Sequence, residues 1–171
     1  MEKVLVTGAT GYIALHCVQQ LLDQGYAVNG SIRSPERKNE VIEALKNSGT
    51  STENLNLYVF DLTNDEGWDD GMEGCDYLLH VASPLALENH TEDYFVKPAV
   101  AGAKRALKFA KKHGVKKVVL TSSVAAIFET GEEKVFYDES DWSDPDNPNI
   151  SNYAKSKTLA EKAAWEFLKE E

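Results

Sequence analysis

Hydrophobic and polar residues follow two different periods along this chain, and the changes of period separate strands from helices. Short apolar runs rich in β-branched residues predict buried strands at 4–7, 26–32, 55–60, 76–82 and 115–121. Apolar residues three and four positions apart predict helices at 12–24, 38–47, 94–113 and 153–170. Gly25 and Gly114 each follow a predicted helix, at the place where a helix usually ends. The pattern predicts an α/β protein in which strands and helices alternate.

The alternation also predicts how the strands are arranged. A strand that is followed by a helix and then by another strand forms a right-handed crossover, and the two strands lie parallel. Five such units predict an open, doubly wound parallel sheet with strand order 3-2-1-4-5. In sheets of this kind the ligand crevice lies at the carboxyl ends of the strands.

Between the first strand and the first helix, Gly8 and Gly11 lie three positions apart, and Ala14 stands where a third glycine is usual. Glycines at this place let the backbone turn tightly and let a pyrophosphate approach the amide groups of the helix N-terminus. We therefore predict a Rossmann-type NAD(P)-binding domain over 1–171, in preference to a structural turn without a ligand. The residues expected at the cofactor phosphates are Gly8, Ala9, Thr10, Gly11, Tyr12 and Ile13.

The residues after the second predicted strand distinguish the two nicotinamide cofactors. NAD-binding domains usually carry an acidic residue there, about 20 positions beyond the glycines, which binds the ribose hydroxyls. In this chain Ile32 is followed by Arg33, with Arg37 and Lys38 shortly after it. A guanidinium group suits a 2′-phosphate, so NADP(H) is the predicted cofactor. The alternative is a solvated loop at the start of a helix.

Other cofactor contacts are expected where the later strands end. Asp61 follows the third strand and can accept a hydrogen bond from an adenine amino group, or it can cap the segment 63–68. His80 lies inside an apolar strand and is predicted to be a hydrogen-bonded core residue rather than a catalyst. The remaining predicted contacts are Leu62, Val81, Ala82, Ser83 and Thr121.

The candidate chemistry lies in the last third of the chain. Tyr153 and Lys157 are four positions apart on a predicted helix and share one face of it. Reduction of a carbonyl by hydride transfer needs a proton donor, and an adjacent cation makes a phenol more acidic. Ser123, after the fifth strand, can hydrogen-bond the same carbonyl oxygen. A Tyr–Lys pair alone is common on helix surfaces, but the glycine turn and the serine favour a catalytic site.

These motifs together resemble the extended short-chain dehydrogenase/reductases. The similarity is to the dihydroflavonol reductase-like branch, which includes cinnamoyl-CoA reductases and NADPH-dependent methylglyoxal and aldehyde reductases. The resemblance implies a triad of Ser123, Tyr153 and Lys157, in which Tyr153 and Lys157 also contact the cofactor. It also implies that Arg33, with Arg37 as a second cation, binds the 2′-phosphate. The segments that carry the resemblance are 6–14, 31–34, 80–84, 118–123, 153–157 and 161–167.

The sequence departs from this family at its end. Family members continue with a sixth strand and a C-terminal lobe that forms most of the substrate pocket, whereas this sequence stops at Glu171. We therefore expect a fragment or a truncated product, with an exposed sheet edge at the fifth strand. The 171-residue chain alone is expected to be a weak or inactive reductase, and the whole protein a working enzyme.

Composition narrows the choice of partners. The chain has 28 acidic and 18 basic residues and a net charge of −10, which argues against binding to nucleic acid or to an anionic membrane. It shows no apolar run long enough to span a bilayer and no signal peptide, so a cytoplasmic location is expected. Cys17 and Cys75 form no metal-binding motif and are predicted to be reduced packing residues. The expected partner is a small carbonyl compound; no oligomeric state is predicted.

Two other functions remain as alternatives to an NADPH-dependent aldehyde or ketone reductase. An NAD-dependent nucleotide-sugar epimerase or dehydratase would usually keep an acid where this chain has Arg33. A non-catalytic NADP-sensing protein of the same fold would have lost the Tyr153–Lys157 pair, which this chain retains.

Overall fold

A computed structural model describes residues 1–86, 90–131 and 134–170 of the chain. The strands are β1 (Lys3–Val6), β2 (Ala27–Ile32), β3 (Leu55–Val59), β4 (Tyr77–His80) and β5 (Lys117–Leu120). The helices are α1 (Tyr12–Asp23), α2 (Lys38–Asn47), α3 (Trp68–Met72), α4 (Glu92–Lys112) and α5 (Asn152–Glu170). Two short 3₁₀ turns, Pro35–Arg37 and Val124–Ala126, follow β2 and β5. The predicted alternation of strands and helices is confirmed.

The five strands form one sheet in which every neighbouring pair is parallel. Their order is β3-β2-β1-β4-β5, so the predicted order is confirmed. In β1, Val4 lies opposite Val28 of β2 on one side and Tyr77 of β4 on the other. β5 forms an edge of the sheet in the described part of the chain, and Val119 on it is 46% exposed.

The chain divides into two compact units. The first comprises Met1–Ala82 and Arg105–Thr121, and it contains the whole sheet. The second comprises Ser83–Lys104 and Ser122–Glu171, and within it the 3₁₀ turn Val124–Ala126 packs against α5.

Helices cover both faces of the sheet in the first unit, and β1 shows why. Successive side chains of a strand point to opposite faces. Val4 and Val6 therefore pack in one apolar cluster with residues of α1 and α2, whereas Leu5 packs in another with residues of α3 and the end of α4. Trp68 anchors the second cluster, since it is fully buried and stacks 5.8 Å from Phe109 between ring centroids.

Three features of the first unit differ from the sequence-based prediction. β5 spans Lys117–Leu120 rather than 115–121. β4 ends at His80 rather than at residue 82, because the next two amide groups donate to the Thr7 hydroxyl instead of to a neighbouring strand. Helix α3 was not predicted. Its five residues are too few to show a helical period, and it begins after Gly67, whose φ is +78°.

Among the helices of residues 1–86, 90–131 and 134–170, none combines the length and the apolar character needed to cross a bilayer.

Candidate active site

The glycine turn after β1 leaves space and amide groups for an anion. Gly8 has a φ of +73°, and a Cβ atom added to it would lie 3.0 Å from the Cβ of Ala82. Gly11 is the N-cap of α1, so no side chain caps the first amide groups of that helix, and its first turn contains no acidic residue. Tyr12 and Ile13 are exposed. Amide groups of this kind, at the positive end of a helix dipole, can bind a phosphate.

Ser31 holds the glycine turn in shape. The amide of Gly8 donates to the Ser31 Oγ at 2.8 Å, and the amide of Ala9 donates to the Ser31 carbonyl at 2.8 Å. Gly30 makes room for this contact, because a Cβ atom there would lie 3.0 Å from the Cβ of Ala9. No role for Ser31 was predicted from sequence; its only sequence signal is a small hydroxyl residue beside a glycine within a strand.

Thr7 links the glycine turn to the end of β4. Its Oγ1 accepts hydrogen bonds from the amides of Val81 and Ala82, both at 3.0 Å, and lies 3.0 Å from Nδ1 of His80. Because both lone pairs of the hydroxyl are used, its proton is donated to His80, whose Nδ1 must be unprotonated. His80 is 4% exposed. The prediction of a buried, hydrogen-bonded histidine is confirmed.

Arg33 and Asp61 follow neighbouring strands in the first unit. Arg33 comes directly after β2 and is exposed. Partial burial alone would raise the pKa of Asp61, but hydrogen bonds from Thr63 and the charges of Arg33 and Arg105 outweigh it and lower that pKa. Oδ1 of Asp61 accepts from the amide and the hydroxyl of Thr63, at 2.8 and 2.6 Å. The carboxylate therefore caps a turn; its predicted adenine contact stays a prediction.

Arg37 differs from Arg33 in that its guanidinium already holds a carboxylate. Its Nη2 lies 2.7 Å from Oε2 of Glu40, and its Nε donates to the same carboxylate at 3.1 Å. The three-residue spacing of this pair on one helical turn was available from the sequence. A phosphate at Arg37 would have to compete with Glu40.

In the second unit, Ser123 lies at the start of the 3₁₀ turn that packs against α5. Its Oγ accepts a hydrogen bond from the amide of Ala125 at 3.2 Å. A hydroxyl that accepts in this way can still donate its own proton to a substrate oxygen.

Tyr153 and Lys157 lie on α5, one turn apart. Lys157 is 6% exposed, although it carries an ammonium group. Burial lowers the pKa of Lys157, and the nearby carboxylate of Glu161 opposes part of that effect. Tyr153 is half-buried. The helix therefore presents a phenol beside an ammonium group that is largely withdrawn from water.

The turn of α5 that follows Lys157 carries Glu161, to which the sequence-based prediction assigned no role. The Ser122 hydroxyl donates to its Oε2, and the Trp165 indole donates to its Oε1 at 3.2 Å. Ser122, Ser123 and Glu161 line one cavity of about 540 Å³ within the second unit. The spacing of four positions from Lys157 was the available sequence signal.

The predicted residues are divided between the two units. The first unit holds the glycine turn, Arg33, Arg37, Asp61, Leu62, Val81, Ala82 and Thr121, whereas the second holds Ser83, Ser123, Tyr153 and Lys157. Both cysteines are free thiols, and burial raises the pKa of Cys75 to about 11. In the described ranges, no three or more His, Cys, Asp or Glu residues are grouped so as to hold a metal ion.

Comparisons with known proteins give the family. Residues 4–171 match the NAD dependent epimerase/dehydratase family. The chain is 40% identical to vestitone reductase from Medicago sativa, over 96% of this chain and 53% of that protein. It is 38% identical to dihydroflavonol 4-reductase from Arabidopsis thaliana, over 99% of this chain and 46% of that protein.

Solved structures that resemble this chain include reductases of the same kind as its sequence relatives. The yeast methylglyoxal/isovaleraldehyde reductase Gre2 in complex with NADPH superposes with a TM-score of 0.84 and 34% identity, over 98% of this chain and 53% of that one. Vestitone reductase from alfalfa superposes with a TM-score of 0.82 and 36% identity, over 99% and 53%. The chain spans about half the length of these relatives. The resemblance predicted from the motifs is confirmed, and the chain belongs to the NAD dependent epimerase/dehydratase family.

Proposed function

We propose that the whole protein is an NADPH-dependent reductase of aldehydes or ketones, and that this chain supplies its cofactor half and its catalytic triad. The observation that carries the proposal is the buried Lys157, one turn from Tyr153 on the helix that packs against the turn of Ser123. The kinship with vestitone reductase and with an NADPH-bound reductase supports the same chemistry.

The first unit fits the phosphates of a dinucleotide. A side chain at Gly8 would make a close contact with Ala82. The start of α1 has no side-chain cap, so its backbone amide groups remain for the pyrophosphate. Arg33 would bind the 2′-phosphate, because β2 ends without the acid that an NAD-specific site uses. Leu62, Val81, Ala82, Ser83 and Thr121 remain the proposed neighbours of the adenosine, ribose and nicotinamide groups.

The second unit fits the proton transfer. NADPH, when bound, supplies the hydride to the carbonyl carbon. Tyr153 donates its phenolic proton to the carbonyl oxygen as negative charge develops there, and Ser123 donates a hydrogen bond to the same oxygen. Lys157 stabilises the phenolate that Tyr153 leaves behind, since a charge withdrawn from water acts more strongly on its neighbour.

The proposed partner is a small carbonyl compound rather than a polyanion, because the net charge of −10 would repel nucleic acid. We place the protein in the cytoplasm, where a buried thiol such as Cys75 stays reduced.

The test follows NADPH oxidation with methylglyoxal, isovaleraldehyde and a dihydroflavonol as substrates. We expect turnover by the whole protein, little or none by the 171-residue chain, and none above background by Tyr153→Phe in the whole protein. Equal turnover by the chain and the whole protein would refute the proposal that this chain supplies only the cofactor half and the catalytic triad. Turnover of a nucleotide sugar with tightly held NAD, without reduction of any aldehyde or ketone, would replace the reductase by an epimerase or dehydratase.

A further inference from the structure

Glu161 occupies the same face of α5 as the proposed catalytic pair. It follows Lys157 by four positions and Tyr153 by eight, so the three side chains lie on successive turns. Its carboxylate is held from two sides, by the hydroxyl of Ser122 at Oε2 and by the indole of Trp165 at Oε1. A side chain with both oxygens bound in this way has a fixed orientation.

The bond to Ser122 has a geometric consequence for the triad. Ser122 directly precedes Ser123, which is the N-cap of the 3₁₀ turn Val124–Ala126. Glu161 therefore ties the segment that carries one member of the triad to the helix that carries the other two. A hydrogen bond to a carboxylate is about twice as strong as one between neutral groups, so it restrains that segment more than packing alone would.

The carboxylate also influences the charge that the reaction needs. Glu161 is close enough to Lys157 to oppose the effect of burial on its pKa. Loss of the carboxylate would leave the buried ammonium group with less compensation. The same residue thus acts on Ser122, the neighbour of Ser123 in the chain, through a hydrogen bond and on Lys157 through its charge.

We propose that Glu161 is a positioning residue of the active site, which fixes the Ser122–Ser123 segment against the face of α5 that bears Tyr153 and Lys157. The proposal rests on the proposed reductase function. It requires no contact between Glu161 and the substrate. Its carboxylate, like Ser122 and Ser123, lines the cavity of about 540 Å³.

The experiment measures kcat, KM and NADPH affinity in the whole protein, with methylglyoxal as the substrate. We expect kcat to fall about 10-fold in Glu161→Gln, which keeps one acceptor, and about 100-fold in Glu161→Ala, with NADPH affinity within about twofold of the original. Ser122→Ala should lower kcat as well. Its effect and that of Glu161→Ala should not add in the double variant, because both remove the same bond.

Matched controls separate positioning from folding. Glu166→Ala removes an exposed carboxylate from the same helix and should leave kcat unchanged. Trp165→Phe removes only the indole donor and should have a smaller effect than Ser122→Ala. If Glu161→Ala does not fold, Glu161→Gln and Ser122→Ala still test whether Glu161 positions the Ser122–Ser123 segment.

The inference is overturned if both of those variants keep the original kcat, or if the effects of Ser122→Ala and Glu161→Ala add fully. It is also overturned if thermal stability and NADPH affinity fall in step with kcat. These outcomes differ from failure of the reductase function itself, in which the original whole protein would reduce no aldehyde or ketone.

Discussion

The glycine turn and the buried Lys157 differ in how their functional role relates to the stability of the fold. In the glycine turn, the contacts that shape the site also stabilise the fold. Gly8 donates to Ser31, and Thr7 binds the two amides after β4, so every polar group in these bonds is paired. Lys157 instead places an ammonium group where it is 6% exposed, and burial disfavours its charged form.

The two regions differ in how a substitution changes the stability of the fold and the activity of the protein. Where fold and function use the same contacts, a substitution that weakens one weakens the other. Where a charge is buried for its chemistry, an apolar replacement can stabilise the protein and abolish its activity. We therefore expect variants of the two regions to move stability and function in different directions.

Lys157→Met should have the largest effect and separate the two properties most clearly. In the whole protein we expect turnover to fall by about 10²- to 10⁴-fold, because the proton donor loses its neighbouring cation. The free energy of unfolding of the 171-residue chain should change by no more than about 1 kcal/mol, since the burial that disfavours the charge of Lys157 offsets the attraction of the Glu161 carboxylate that the variant loses. Steady-state kinetics and urea denaturation measure the two quantities. A loss of stability as large as the loss of turnover would abolish the contrast.

The same variant should change the pH dependence of stability. The folded pKa of Lys157 is lowered, so the destabilising effect of its buried charge is fully present below that pKa and is relieved as the pH rises towards about 10.4, the unfolded value. This group therefore makes stability rise with pH in the alkaline range. We expect the urea midpoint of the original chain to rise relative to that of Lys157→Met as the pH increases through the alkaline range towards about 10.4. A constant difference would contradict this.

Gly8→Ala should damage fold and cofactor binding together. The positive φ alone should cost about 1–2 kcal/mol, and the contact with Ala82 should add about 1 kcal/mol or more. NADPH binding, followed by the quenching of tryptophan fluorescence, should be lost. Gly25→Ala is the matched control, because Gly25 has a φ of +85° but nothing within 4 Å of an added Cβ. It should lose about 1–2 kcal/mol and keep its NADPH affinity. Equal affinities in the two variants would argue against the glycine turn as the phosphate site.

Arg33→Ala should weaken NADPH binding by about 10- to 100-fold and leave NADH binding nearly unchanged, because it removes a charge-assisted contact to the 2′-phosphate. Arg37→Ala should have less than a third of that effect on the free energy of binding, since its guanidinium is already paired with Glu40. Titrations with both cofactors give the comparison. Indifference of NADPH affinity to Arg33→Ala would count against the choice of cofactor.

Thr7→Val tests the hydroxyl that links the glycine turn to the end of β4 and should change stability rather than the chemistry. It leaves the amides of Val81 and Ala82 without their acceptor and His80 without its donor, which should cost about 1–3 kcal/mol of the free energy of unfolding. Thr7→Ser keeps the hydroxyl and should cost about 1 kcal/mol or less. If the two variants are equally stable in urea, the hydroxyl does not hold the end of β4.

Much of the fold could be predicted from the sequence because its signals are local. The period of apolar residues gave five strands and most helices, and right-handed crossovers then led to the order β3-β2-β1-β4-β5. Helix α3 was missed because five residues show no period. β4 was predicted too long because the acceptor for the next two amides is Thr7, which follows β1 and is far away in the chain.

The sequence by itself determined the elements, their order, the glycine turn and the placement of Tyr153 and Lys157 on one helical face. Each of these follows from spacing within about a dozen residues, where backbone geometry relates position to direction. Only the tertiary structure decided that Ser31 binds Gly8, that Thr7 binds the end of β4, that Lys157 is buried and that Glu161 holds Ser122. The hydrogen bonds join residues that are distant in the chain, and the burial of Lys157 depends on the segments packed around it. A local sequence pattern contains neither kind of information.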